Sequence, residues 1–310
     1  FGLLKKMVIA DRLNIIVENI FSNYATYNGG ILFLGIIFYT IELYMDFSGV
    51  MDVVIGSAEI FNIALPENFR QPFFSKSISD FWSRWHITLG TWFKEYIFYP
   101  ISLSKGSKKM TSALRKKMGN HFGPLCAGSI ALLCVWLLNG LWHGAGYHYI
   151  FFGIYHFTFI LLGNVLEPLF LKFYQITKLN RESKSIHIVR ILKTTVIVFF
   201  GELFFKAPTL RTGFIMFKRI FATFTFKSFT DGFILKLGLD GRDFIILGVT
   251  LFLLFLISIL HEKNISLREE ISKKPIYIRW LCYYALLFYI IIFGAYGAGY
   301  IPVDPMYANF

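Results

Sequence analysis

From Phe122 to Trp142 the chain carries hardly a polar side chain, and a helix of about twenty such residues crosses the hydrocarbon of a bilayer. The run ends in Asn139-Gly-Leu-Trp-His-Gly-Ala-Gly146, so an ionisable ring, His143, closes an apolar span. An ionisable group at membrane depth is costly unless it faces protein or water, which makes His143 a functional candidate by default.

Composition agrees. The 310 residues are 55% hydrophobic and 19% aromatic, with 36 Phe and 17 Tyr, and only 16% are charged. Mean hydropathy is +0.56. A soluble domain of this length cannot hide so much apolar surface, and several other runs approach spanning length. The chain therefore reads as an all-α, polytopic transmembrane bundle with interfacial and re-entrant helices. The net charge of +12 falls in short runs between apolar segments, with no soluble domain on which a duplex would dock. Topology and anionic lipid headgroups account for it, and no nucleic-acid partner is expected. Cys126, Cys134 and Cys282 lie in apolar runs without CxxC spacing, which suggests neither a disulfide framework nor a zinc site. No repeat or low-complexity linker divides residues 1–310, which read as a single transmembrane domain. The opening Phe1-Gly-Leu-Leu-Lys-Lys has no initiator Met and no cleavable signal pattern, and the expectation is that residues are missing upstream.

Along the chain, Met7 to Phe21 has helical apolar spacing interrupted by Asp11, Arg12 and Glu18, which suits a helix lying at the interface. Gly29 to Met45 is a span, followed by an amphipathic segment from Val50 to Ile63. Ala64 to Phe74, with two prolines, reads as a surface loop. Ser77 is placed to cap a helix from Phe81 to about Tyr99. A basic loop with Lys105, Lys108, Lys109, Arg115, Lys116 and Lys117 precedes the Phe122–Trp142 span, Tyr147 to about Phe170 is the next, and a second basic stretch runs from Lys172 to Lys193. Two crossings separate the basic stretches, which places both on one side, the cytoplasmic one. Thr194 to Phe205 is a short span unless it begins near Ile186. Lys206 to Asp243, with an interfacial helix over Gly213–Phe226, carries seven basic residues and fits an outside location poorly, although long loops follow the charge rule weakly. Phe244 to Leu260 and Trp280 to Phe293 are the last spans, and the tail after Phe293 is expected outside.

Several residues invite a chemical reading, each beside a plainer one. Asn139 precedes His143 by one helical turn, where its amide would hold one ring nitrogen and leave a neutral imidazole to accept a proton. The plainer view has an interfacial histidine closing a helix beside a belt tryptophan, Trp142. His86, in Arg84-Trp-His-Ile, is either a second site residue or a headgroup contact on an aromatic interfacial helix. Asp46 either caps the next helix or orients a histidine or substrate. Glu202 reads as the i,i+4 partner of Lys206. His148 reads as interfacial and His156 as a packed polar residue, each also able to line a cavity with His143. No HExxH, HxxxH or cysteine-rich spacing supports a metal, and no GxSxG or P-loop occurs.

Three stretches resemble the membrane-bound O-acyltransferase family, in its bacterial alginate O-acetylase-like branch. They are GLLKKMVIADRL from Gly2, the run from YMDFSG at Tyr44 through RWHITLGTWF to FYP at Pro100, and LLNGLWHGAGYHYIFFGIYH ending at His156. GELFFKAPTL from Gly201 and the closing MYANF are looser likenesses. The resemblance implies that His143 is the catalytic histidine and His86 a second required one, both within a tunnel through a helical bundle. It implies a multi-pass protein of the bacterial inner membrane, with the acyl donor arriving from the cytoplasm and the acceptor hydroxyl from outside. His143 would be general base on a polysaccharide hydroxyl and His86 would orient the donor or stabilise the oxyanion, with Asn139, Asp46 and Trp142 in support. No bound cofactor or metal is implied. The donor would be acetyl-CoA or another acyl thioester, and the partners membrane lipid, a polysaccharide and an extracytoplasmic acyltransferase. D-alanyl transfer to teichoic acid and a non-catalytic scaffold of a polymer-export complex are the alternatives. A transporter would call for broken helices in paired repeats, which are not found.

Overall fold

A computed structural model of the chain describes residues 1–296 and Tyr300, so most of the expected outer tail, with MYANF, lies outside the described residues. Among the described residues every regular element is helical, and Phe69 and Trp85 form an isolated antiparallel bridge. Among the described residues five helices are long and apolar enough to cross a membrane: Gly29–Ile60, Lys105–His143, Tyr147–Thr177, Gly241–Glu262 and Ile276–Phe293. The chain is an all-α, multi-pass membrane protein. The helices group into two compact units, Phe1–Glu67 with the chain from Ile215 onward, and Asn68–Phe214.

In the first unit the expected interfacial helix packs its apolar face against the protein. Leu13, Ile16, Val17 and Ile20 on Asp11–Ser22 are fully buried. Several of its polar residues find partners within the unit, while Glu18 and Ser22 are exposed. Arg12 Nε donates to Asp243 at 2.8 Å and its Nη2 to the Phe293 carbonyl at 2.9 Å. Asn14 donates to Glu42 at 2.9 Å, and Lys6 lies between Asp11 at 2.8 Å and Asp46 at 2.6 Å. The first span also continues through Asp46 to Ile60, giving one helix of 32 residues.

The second unit holds the histidines. Ser77 caps Ile78–Arg84 by accepting from the Asp80 amide at 3.1 Å. The expected Phe81–Tyr99 helix does not continue past that point. Trp85 is extended, His86 is left-handed at φ 47°, and a new helix runs Ile87–Phe93. The basic Lys105–Lys117 stretch is helical rather than a loop, and it precedes a break at Gly119, whose φ of 83° a side chain would resist. The span then runs to His143, and Tyr147–Thr177 returns alongside it. These two helices meet backbone to backbone, since a β-carbon at Gly153 would lie 2.2 Å from the Trp136 carbonyl. Small residues allow such approach where lipid gives no hydrophobic drive for association. The expected Thr194–Phe205 span lies within the helix Lys184–Lys206, which is not among the five long and apolar enough to cross.

Candidate active site

The break at His86 is made by a residue eighteen positions upstream. Asn68 and Arg70 run antiparallel to Arg84–Ile87: the Arg70 amide donates to the Arg84 carbonyl at 2.9 Å and the Ile87 amide to the Asn68 carbonyl at 3.0 Å. This pairing extends Trp85 and ends the first helix. The Asn68 side chain then starts the second, its Oδ1 accepting from the Thr88 amide at 3.2 Å and the Thr88 hydroxyl at 2.6 Å, with His86 Nδ1 at 3.4 Å. An oxygen that satisfies an orphan first-turn amide holds that turn in place. Here the same oxygen fixes the edge of the imidazole. Burial pushes His86 down to about 4, so the ring is neutral near pH 7. Asn68→Ala is expected to cost about 0.5–2 kcal/mol, the usual loss of a cap. It should reduce activity by more than an exposed loop substitution such as Glu67→Ala, which a melting curve and a rate on the same preparation would show.

His143 closes the Lys105–His143 helix, where Gly144 at φ 143° ends the turn. Its ring meets Phe205 edge-on at 4.8 Å between centroids, Trp142 at 4.7 Å, and Phe152 at 6.1 Å. Phe205 comes from the Lys184–Lys206 helix and Phe152 from Tyr147–Thr177, so three helices enclose one imidazole. Trp142 also packs against His86 at 5.7 Å. The two histidines, 57 residues apart in the chain, therefore lie against the same indole. Their separation cannot exceed the sum of those two ring distances.

The other candidates fall differently. Asn139 Oδ1 is buried and has no hydrogen-bond partner among the described residues, so this oxygen does not hold the His143 ring. Asp46 belongs to the first unit, with Lys6 on its carboxylate. Glu202 does not pair with Lys206. It lies on the buried face of its helix, 2% exposed, with Oε2 unpartnered, and spacing along a helix cannot tell a buried face from a solvated one. His156 is fully buried, as a packed polar residue would be. Asn68, Phe152 and Phe205 were not singled out from the sequence. Asn68 sits in the stretch read as a surface loop yet is 6% exposed, and nothing in its spacing reveals a partner so far along the chain.

Comparison with known proteins places these residues in context. The model of the MBOAT, or membrane-bound O-acyltransferase, family matches residues 1–114, a stretch that contains His86. A probable alginate O-acetylase of Pseudomonas syringae is 31% identical over 221 residues, covering 71% of this chain and 37% of that protein. A peptidoglycan O-acetyltransferase of Helicobacter pylori is 36% identical over 155 residues, 50% of this chain and 26% of the relative. A teichoic acid D-alanyltransferase of Bacillus subtilis is 34% identical over 129 residues, 42% and 30% of the two chains. The chain thus spans well under half the length of these relatives.

Proposed function

Since the chain belongs to the membrane-bound O-acyltransferase family, we propose that it is the acyl-transferring part of a bacterial inner-membrane enzyme, moving an acetyl group from a cytoplasmic thioester to hydroxyls of an extracytoplasmic polysaccharide. The observation that carries this reading is the pair of imidazoles, His86 and His143, on Trp142. In the proposed step a neutral His143 accepts the proton of an acceptor hydroxyl as its oxygen attacks the thioester carbonyl. The carbon–sulfur bond then breaks, and the imidazolium returns the proton to the departing thiolate, so no charge accumulates over a turnover. His86, held through Asn68, orients the donor or supports the oxyanion with a ring N–H. The acceptor attacks directly, so no acyl-enzyme is required. Acetyl-CoA or another acyl thioester is the donor, and an extracytoplasmic acyltransferase is the proposed partner on the polymer side.

The named O-acetyltransferase relatives support the acetyl assignment, and the alginate enzymes align over more of this chain than the D-alanyl one. D-alanyl transfer to teichoic acid is the second reading, favoured by the 34% identity to the Bacillus protein. Full-length protein in lipid, given labelled acetyl-CoA and a soluble polysaccharide, tests the proposal. Label transfer that depends on both histidines supports it. Transfer from a D-alanyl thioester alone would replace it with the second reading, and uptake without transfer would indicate a carrier.

A further inference from the structure

The six cations expected in a basic loop, Lys105, Lys108, Lys109, Arg115, Lys116 and Lys117, stand instead on the first turns of the Lys105–His143 helix, and all are exposed. Ser107, Met110, Thr111 and Leu114, at helical spacing on the other side of the same turns, are partly buried. No acidic residue occurs between Glu95 and Glu167, and none of the six cations forms an ion pair among the described residues. Positive charge collects on one side of a membrane, but a loop meets that rule as well as a helix does. The rule does not account for a single basic face.

A fold in the chain sets the depth of that face. Drawn straight, the 39 helical residues would reach about 58 Å, and Arg115 and Gly123 would stand about 12 Å apart. Instead Gly119 takes a φ of 83°, and a β-carbon on Gly123 would overlap the backbone nitrogen of Arg115. The segment Lys105–Met118 is therefore folded back beside the start of the apolar span rather than carried away from it. Exposed apolar residues bracket it, with Trp92, Tyr96, Tyr99 and Leu103 before it and Met118 and Phe122 around its end. Trp92 and Tyr96 stack at 5.4 Å between centroids, and the Lys94 ammonium lies over the Tyr99 ring at 5.6 Å. Aromatic rings of this kind collect at headgroup level, and a soluble polyanion on the basic face would leave them in water. A phospholipid with an anionic headgroup answers both the charge and the apolar flanks.

We propose that the basic face of Lys105–Met118 is a docking surface for the headgroups of anionic phospholipids, independent of the acyl-transfer chemistry. In the test, full-length protein is released from nanodiscs of equal phosphatidylcholine and phosphatidylglycerol and weighed by native mass spectrometry with the lipids it keeps. The wild type should keep phosphatidylglycerol in excess. Lys108→Gln and Lys116→Gln should each lower the ratio of retained phosphatidylglycerol to phosphatidylcholine by about 5-fold, the contribution of one cation near an anionic surface. Lys108→Arg and Lys116→Arg keep the charge and should keep the ratio. Both lysines are exposed, so all four variants should melt at the wild-type temperature. A ratio unchanged in both glutamine variants overturns the proposal. An equal loss from Lys172→Gln and Lys178→Gln, in the other basic stretch, also overturns it, because positive charge anywhere would then serve. So does binding of soluble polyphosphate to protein in phosphatidylcholine discs that the glutamine variants abolish while their retained phosphatidylglycerol stays the same. That result would assign the face to a soluble polyanion.

Discussion

His143→Ala is expected to lower acyl transfer by about 10²–10⁴-fold, the usual contribution of a positioned general base, while the protein still folds and inserts. The ring touches Phe205, Trp142 and Phe152 at its rim, and it stands at the end of its helix, where truncation opens space without breaking a turn. The effect should therefore fall on rate far more than on melting temperature. His86→Ala should also reduce the rate, but through loss of orientation or of an oxyanion donor, so the two variants together should lose less than the product of the single effects. The pH dependence separates the two rings further. With His86 pulled down to about 4 by burial, any activity lost between pH 7 and about 5 must come from a group other than His86. The same shift has a consequence for stability. Between the ordinary value near 6.5 and about 4 the unfolded chain binds a proton that folded His86 does not, so stability should fall as pH falls through that window. His86→Phe should make that slope shallower. A rate measured on purified His143→Ala protein that equals the wild type would exclude His143 as the base.

What the sequence reveals here follows from what each signal depends on. The spans were legible because apolar length is a local property: Gly241–Glu262 and Ile276–Phe293 lie close to where their runs place them. Ser77 as a cap was legible for the same reason, since donor and acceptor are three residues apart. The break at His86 was not. It depends on pairing with Asn68–Arg70, a contact between separated segments, and the residues around it have the spacing of an uninterrupted helix. The partners of the first helix were hidden for a related reason, because Arg12 is answered by Asp243, Asp11 by Lys6 and the Asn14 amide by Glu42, and a hydrophobic pattern cannot show which partners lie across a fold. The two histidines could be singled out from motif and depth. Their shared contact with Trp142 required coordinates, although Trp142 itself stands in the motif beside His143.

Gly153→Ala is expected to damage the protein out of proportion to the single methyl group it adds, and Gly163→Ala, on the same helix, is expected to do no harm. Alanine is favoured over glycine inside a helix by roughly 0.5–1 kcal/mol, so propensity alone predicts a gain at both positions. Around Gly163 an added β-carbon meets nothing within 4 Å, and the gain should appear as an unchanged or raised melting temperature. At Gly153 the β-carbon would lie 2.2 Å from the Trp136 carbonyl oxygen, an atom of the backbone that no rotamer change can move aside. Relief requires the two helices to part, and overpacking of this kind costs about 1–3 kcal/mol. The position also governs the site. Phe152 is the preceding residue and contacts both His143 and His156, and Trp136 itself packs against His156. Parting the helices therefore displaces the rings around the proposed base, and a misplacement of about 1 Å can cost about 10² in rate. The contrast is read on paired preparations in the same lipid, by melting temperature and by initial rate of label transfer. Equal behaviour of the two variants would mean that the hairpin is not packed backbone to backbone at Gly153, and that His143 takes its position from something other than that contact.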